Sequence, residues 1–179
     1  EWHREAAGYK IRHVPATLPD ILKTRDMLRW EYGPQMGRTS DQAIGATDDQ
    51  LDWFEQRESD YEIAFPLYEL ESFARAEGYY KGLPVDLRLA QIDHILTIYE
   101  AHFPSMRLFL FDARQVFCAP VTVFGPLLAV VYLGQNYIAF RETSRVRIFT
   151  QHFDRLVREA VVDARDIPDT LRRLRSEIS

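Results

Sequence analysis

Five histidines, one cysteine and scattered carboxylates are the groups in this 179-residue chain suited to acid–base, metal or thiol chemistry. His94 and His102 share one predicted helix. Helical rotation puts His94 on its polar face and His102 at the edge of its apolar stripe, so they read as surface or boundary residues, not as a metal pair. His3, His13 and His152 have no ligand spacing among them. Cys118, between Phe117 and Ala119-Pro120, reads as a buried inert thiol, because a reactive one needs exposure and a lowered pKa. Asp93 and Glu100, or Glu58, Asp60 and Glu62, would act as paired acids only in a shared cleft, and they read as solvated charge. The chain has no Gly-rich phosphate loop, Gly-x-Ser-x-Gly, His-Glu-x-x-His or Cys-x-x-Cys. No catalytic residue, metal site or cofactor is therefore assigned, and the chain is expected not to be an enzyme.

The aromatic residues between Arg107 and Arg141 carry more information. Phe109, Phe111, Phe124, Tyr132, Tyr137 and Phe140 crowd into this stretch. One reading is core packing. The other is an aromatic-lined cavity for a small apolar or planar ligand, with Arg107, Arg141 and the tyrosine hydroxyls as polar anchors. The two overlap, since one sheet face can pack on a helix while the other lines a cavity. The candidate ligand-binding set is Phe109, Phe111, Phe124, Tyr132, Tyr137, Phe140 and Arg107.

The elements that must position these residues are short strands. Ser105 to Arg141 consists of β-branched and aromatic runs punctuated by Gly, Pro and Asn. Leu127 to Leu133 is apolar on both alternating faces, so something must cover each face. Gly134-Gln135-Asn136 is a hairpin turn, and Phe124-Gly125-Pro126 a turn or bulge. Tyr61 to Leu67 is a further strand, broken or placed at an edge by Pro66. Helices are expected from Thr17 to Gly33-Pro34, from Thr47 onward, over Tyr68–Glu77, over Val85–Phe103, from Thr143 or Ser144 through Val161, and from Asp166 to the end. Gln35 to Ala46 reads as a polar loop. Gln42-Ala43-Ile44-Gly45 within it resembles half of a helix-turn-helix, but no second helix with a polar reading face follows. The sum is an α+β fold: a mostly antiparallel sheet of about four or five strands flanked by helices. Residues 1–16 read as a linker, and residues 17–179 as a single domain.

The length suits one domain with a sizeable core, and 46% apolar residues mark a folded chain. A net charge of −5 argues against this segment being a nucleic-acid grip. The nine arginines from Arg141 to Arg175 are interleaved with acids and predict local ion pairs, not a basic stripe. No apolar run reaches the roughly 18 residues of a membrane span. The start Glu1-Trp2-His3-Arg4-Glu5 is unlike a signal peptide and carries no initiator Met, which suggests a fragment. A single cysteine fits a reducing cytoplasm.

Three stretches resemble the C-terminal regulatory domain that follows an Xre-type helix-turn-helix in bacterial transcription regulators. They are Val14-Pro15-Ala16-Thr17-Leu18-Pro19-Asp20-Ile21-Leu22-Lys23-Thr24; Tyr61 to Ser72 with Leu89 to Leu96; and Val121-Thr122-Val123-Phe124-Gly125, Val131-Tyr132-Leu133-Gly134 and His152-Phe153-Asp154-Arg155-Leu156. Asp20-Ile21 stands where that family usually has Gly-Leu. The resemblance implies a missing upstream DNA-binding domain, a homodimer and a small-molecule effector, with no membrane and with DNA reached only through the absent domain. A ligand-free oligomerisation or protein-interaction domain, and a small stand-alone enzyme, are the alternatives.

Overall fold

Residues 1–32, 40–57 and 59–179 are described by the computed structural model. In chain order the elements are α1 (Trp2–Glu5), β1 (Ile11–Val14), α2 (Arg25–Glu31), α3 (Ser40–Arg57), β2 (Tyr61–Pro66), α4 (Leu67–Arg75) and α5 (Val85–His102). They continue with β3 (Met106–Phe111), β4 (Val121–Phe124), β5 (Leu128–Leu133), β6 (Asn136–Phe140), α6 (Thr143–Arg158) and α7 (Ile167–Glu177).

The fold is α+β, as expected, but the sheet differs from the expectation. It has six strands in the order β3-β2-β1-β4-β5-β6 and is mixed. β1, β2 and β3 run parallel, because α2 and α3, then α4 and α5, carry the chain back over the sheet between them. β4, β5 and β6 form an antiparallel meander that joins the parallel half through β1. The added strand is β1. It lies within residues 1–16, which read as a linker because Arg12 and His13 interrupt its apolar character. Both are partly covered in the structure, while Ile11 and Val14 are fully buried. Pro66 ends β2, which is an interior strand. Its neighbour β1 pairs only with Tyr61 to Ile63, so the missing N–H of Pro66 interrupts no ladder on that side.

Helix boundaries also moved. Thr17 does not cap a helix. A 3-10 turn covers Asp20–Leu22, and α2 starts after Thr24, whose hydroxyl accepts from the Met27 N–H at 3.1 Å. α3 begins at Ser40, inside the expected loop, while the stop expected at Gly33-Pro34 lies outside the described residues. α5 stands close to its expected span, but its buried stripe includes Arg88 and Gln91. Arg88 donates to the carbonyls of Leu83 (3.1 Å) and Ala74, and Gln91 donates to Leu22 O (2.7 Å), so both are buried with partners.

Strand alternation divides the core. Ile11, Tyr61, Ile63, Phe65, Leu108 and Phe124 face one way, toward α2 to α5 and α7. Val14, Ala64, Phe109, Phe111, Val123 and Ala129 face α6, which buries Val146, Phe153 and Leu156. Both faces of Leu128 to Val130 are covered, as the apolar run required. Val161, placed in the α6 stripe from sequence, lies beyond the helix and is exposed; its N–H donates to Leu110 O at 2.8 Å, closing the β3 edge. The Gly134-Gln135 hairpin has φ +76° at Gly134. At Gly125, φ is +52° and an added Cβ would stand 2.5 Å from Tyr9 Cβ, so this turn requires glycine. Among the described residues no helix is long and apolar enough to cross a membrane.

The packing of α6 is directly testable. Phe153→Ala should lower the stability to urea unfolding by about 3–5 kcal/mol. Ile148→Ala on the exposed face should change it by no more than about 0.5 kcal/mol. Equal small losses would mean that α6 does not pack on the sheet.

Candidate functional site

The site is built where β1 stops. Val14 is followed by Pro15, which cannot extend the ladder, and residues 15–24 fold away as a strap over the sheet face that carries His13. The strap is pinned at several points. The Leu18 N–H donates to Tyr80 Oη at 3.2 Å, the Thr24 N–H donates to Gln91 Oε1 at 2.8 Å, and Ile21 and Leu22 are buried. Beneath it lies a cavity of about 660 Å³.

Its sheet wall comes from three adjacent strands. In the β1–β4 register His13 faces Thr122, and alternation puts Tyr132 of β5 on the same face. His13 Nδ1 and Thr122 Oγ1 are 2.7 Å apart, and Thr122 Oγ1 and Tyr132 Oη are 3.1 Å apart. His13 is half-buried and lines the cavity. Burial lowers its pKa to about 4, outweighing the opposing pull of Asp20, so the ring is neutral at pH 7. A neutral imidazole donates from one nitrogen only. The Thr122 hydroxyl can donate to one neighbour and accept from the other, or accept from both, so His13, Thr122 and Tyr132 form one hydrogen-bonded set on this wall.

A second wall comes from α1, α3 and β2. Gln50 Nε2 donates to Tyr61 Oη at 3.0 Å and lies 3.4 Å from His3 Nε2. His3 is held edge-on against Trp53 (5.2 Å) and Phe124 (5.1 Å), and burial is the larger cause lowering its pKa to about 4. Tyr61 is buried and its pKa is pushed well above the usual phenol value by desolvation.

The third wall is charged. The Lys23 side chain is 1% exposed, and its ammonium donates to Asp20 Oδ1 at 2.7 Å, to Thr17 Oγ1 at 3.4 Å and to Glu31 Oε2. Tyr79 Oη donates to Glu31 Oε1 at 2.9 Å, and Tyr32 Oη to Asp20 Oδ2 at 3.1 Å. Burial first, then Glu31, raises the Tyr79 pKa, so its phenol stays a donor.

Of the residues proposed from sequence as a ligand set, Tyr132 lines this cavity and Phe124 backs it through His3. Phe109 and Phe111 are in the core under α6, on the other face of the sheet. Arg107 is also on that face, bound to Glu62 at 2.6 Å. Tyr137 is exposed and packs edge-on to Trp2 at 4.9 Å, and Phe140 lies against Phe149 at 5.3 Å. Arg141 pairs with Glu5 at 3.0 Å, away from the cavity. Sequence reasoning missed His3, His13, Thr17, Lys23, Glu31 and Tyr79. For Thr122 the usable signal was its place as the one polar residue of β4, on the face shared with Phe124, while His13 carried no such signal in β1.

Among the other chemical candidates, Glu58 lies outside the described residues, and Glu62 is buried against Lys10 and Arg107 rather than solvated. Burial pushes the Cys118 thiol to about 11. His102 sits 3.2 Å from Glu55. Asp93 is bound by Arg175 at 2.6 and 3.0 Å, which lowers its pKa, and Glu100 pairs with Arg172 at 2.7 Å. Among the described residues, no three metal-ligating side chains gather. A smaller cleft of about 350 Å³ on the opposite face is lined by Lys10, Arg12 and Arg147. Comparison with protein-family models, curated proteins and solved structures returns no match.

The lowered pKa of His13 fixes a sign. Unfolding restores the ring to its ordinary value near 6.5, so between about 6.5 and 4 the unfolded chain binds more protons. The His13 contribution is intact above pH 6.5 and is lost as the pH falls toward 4. An NMR titration should show the His13 ring neutral at pH 5.5, while an exposed histidine is mostly protonated. A midpoint near 6.5 would mean that the ring is freely solvated.

Proposed function

We propose that the chain is the effector-binding regulatory domain of a bacterial, cytoplasmic transcription regulator, attached to an N-terminal Xre-type helix-turn-helix and working as a homodimer. The observation that carries the reading is the cavity under residues 15–24. It is large enough for a small organic molecule, and it combines aromatic surface with a few fixed polar groups. The connection to transcription rests on the resemblance in residues 14–24, 61–72 with 89–96, and 121–125, 131–134 and 152–156.

The position of the cavity suits a switch. His3 of α1 lines it, and α1 precedes β1, so a ligand touching His3 bears on the segment through which an upstream head would be joined. A ligand that fits one placement of α1 better than another shifts their populations by that difference in affinity. His13 and Thr122 are hydrogen-bonded to each other and on to Tyr132, so polar groups stand at fixed places on the wall, which supports recognition of a ligand. The alternative, a ligand-free interaction domain, is favoured by one feature: edge strand β6, where Tyr137 and Ile138 are exposed.

Native mass spectrometry tests the reading. The chain, purified directly and after exposure to a small-molecule extract of bacterial cells, should appear as a dimer carrying a discrete added mass. Tyr132→Ala should lose that mass. A bare chain under both conditions, or retention of the mass by Tyr132→Ala with unchanged stability, would overturn it.

A further inference from the structure

We infer that the cavity selects an organic cation: an amine or ammonium group on an aromatic or apolar body, its charge against Asp20 and Glu31 and its body against the tyrosine faces. This inference rests on the reading of the cavity as a ligand site and adds the chemical class of the ligand.

The wall charges set the preference. Among the described residues, the charged side chains lining the cavity are Asp20, Lys23 and Glu31, two carboxylates and one ammonium, with His3 and His13 neutral at pH 7. The formal sum on the wall is one negative charge. An anion entering this space would meet that charge, weakly screened at Glu31, whose side chain is 4% exposed, and more screened at Asp20, whose side chain is 47% exposed. Among the described residues it would also find no uncommitted cationic donor on this wall. Lys23 has three N–H groups, and these already go to Thr17, Asp20 and Glu31.

The carboxylates are placed differently. Each oxygen accepts up to two hydrogen bonds. Asp20 Oδ1 receives Lys23 and Oδ2 receives Tyr32, while Glu31 Oε2 receives Lys23 and Oε1 receives Tyr79, with Thr17 a distant 3.5 Å. Accepting capacity therefore remains at this wall, and a ligand N–H can use it. Tyr32, Tyr79 and Tyr132 line the same space and are only partly buried, and a cation is attracted to the electron-rich face of such rings. The cleft on the other side of the sheet shows the contrast, since Lys10, Arg12 and Arg147 are gathered there and not at this cavity.

The test compares two probes with the same indole body and opposite charge, tryptamine and indole-3-propionate. Each is titrated into the whole chain at pH 7 and low salt, with the histidine and tyrosine ring resonances read by NMR. Tryptamine should shift His13, Tyr61 and Tyr132 saturably and bind about tenfold or more tightly than indole-3-propionate. Asp20→Asn, which leaves the Lys23–Glu31 pair in place, should weaken tryptamine several-fold and leave indole-3-propionate no weaker. Equal or tighter binding of the propionate, or no shift of the cavity rings by tryptamine, would overturn the inference. A retained mass that proved anionic would overturn the charge class while keeping the cavity as a ligand site. The absence of both a retained mass and a probe response would remove both.

Discussion

The pairing of β1 with β2 on one side and β4 on the other is the contact on which the rest of the structure depends. It joins a parallel unit built by helical crossovers to an antiparallel meander built by hairpins. With four residues, β1 is too short to hold this position by its own hydrogen bonds. Ile11 and Val14 hold it, because they project to opposite faces and each is fully buried in a different half of the core. Each such side chain stabilises the fold by about 1.5–3 kcal/mol. The α6 layer, the helical layer and the cavity are all positioned through this strand.

The cavity follows from how β1 ends. Pro15 stops the ladder one residue after Val14, and the strap that leaves it must cross the face that His13 occupies. The strap carries Lys23 inward, which is stable only because Asp20 and Glu31 accompany it. Removing one partner from a buried ion pair typically costs about 3–5 kcal/mol, whereas making the pair gains little over apolar packing. A group held on such terms is weak evidence for stability as its purpose, and it fits better with a wall whose charge is matched to an occupant.

The parts of the fold legible in the sequence were those with strong periodicity. The α5 span, the α6 stripe of Val146, Phe153 and Leu156, the β5–β6 hairpin and the glycine turn at Gly125 all carry local signals that tertiary structure did not override. β1 was hidden because Ile-Arg-His-Val shows neither alternation nor a continuous apolar run, and its polar residues are covered only by distant elements. The start of α2 moved from Thr17 to Thr24 because both are plausible caps, and the Thr24 N–H is fixed by Gln91, 67 residues away. In the aromatic cluster Phe109, Phe111 and Phe124 were true signals of core, but Tyr137 is exposed, and Phe109 and Phe111 drew attention to the α6 face. The cavity lies on the other face, among residues whose neighbours come from α1, α3 and the strap. Long-range register, not local type, decides that grouping.

The measurement that bears most directly on the account is a crystal structure of the purified chain at a resolution that places ordered water. The account predicts an open cavity bounded by Tyr132, Tyr79 and Glu31, with a discrete molecule in it, the His13–Thr122–Tyr132 chain intact and Lys23 held inward. A closed cavity, with the strap or Tyr79 folded into the space and the Lys23 ammonium in solvent, would contradict it.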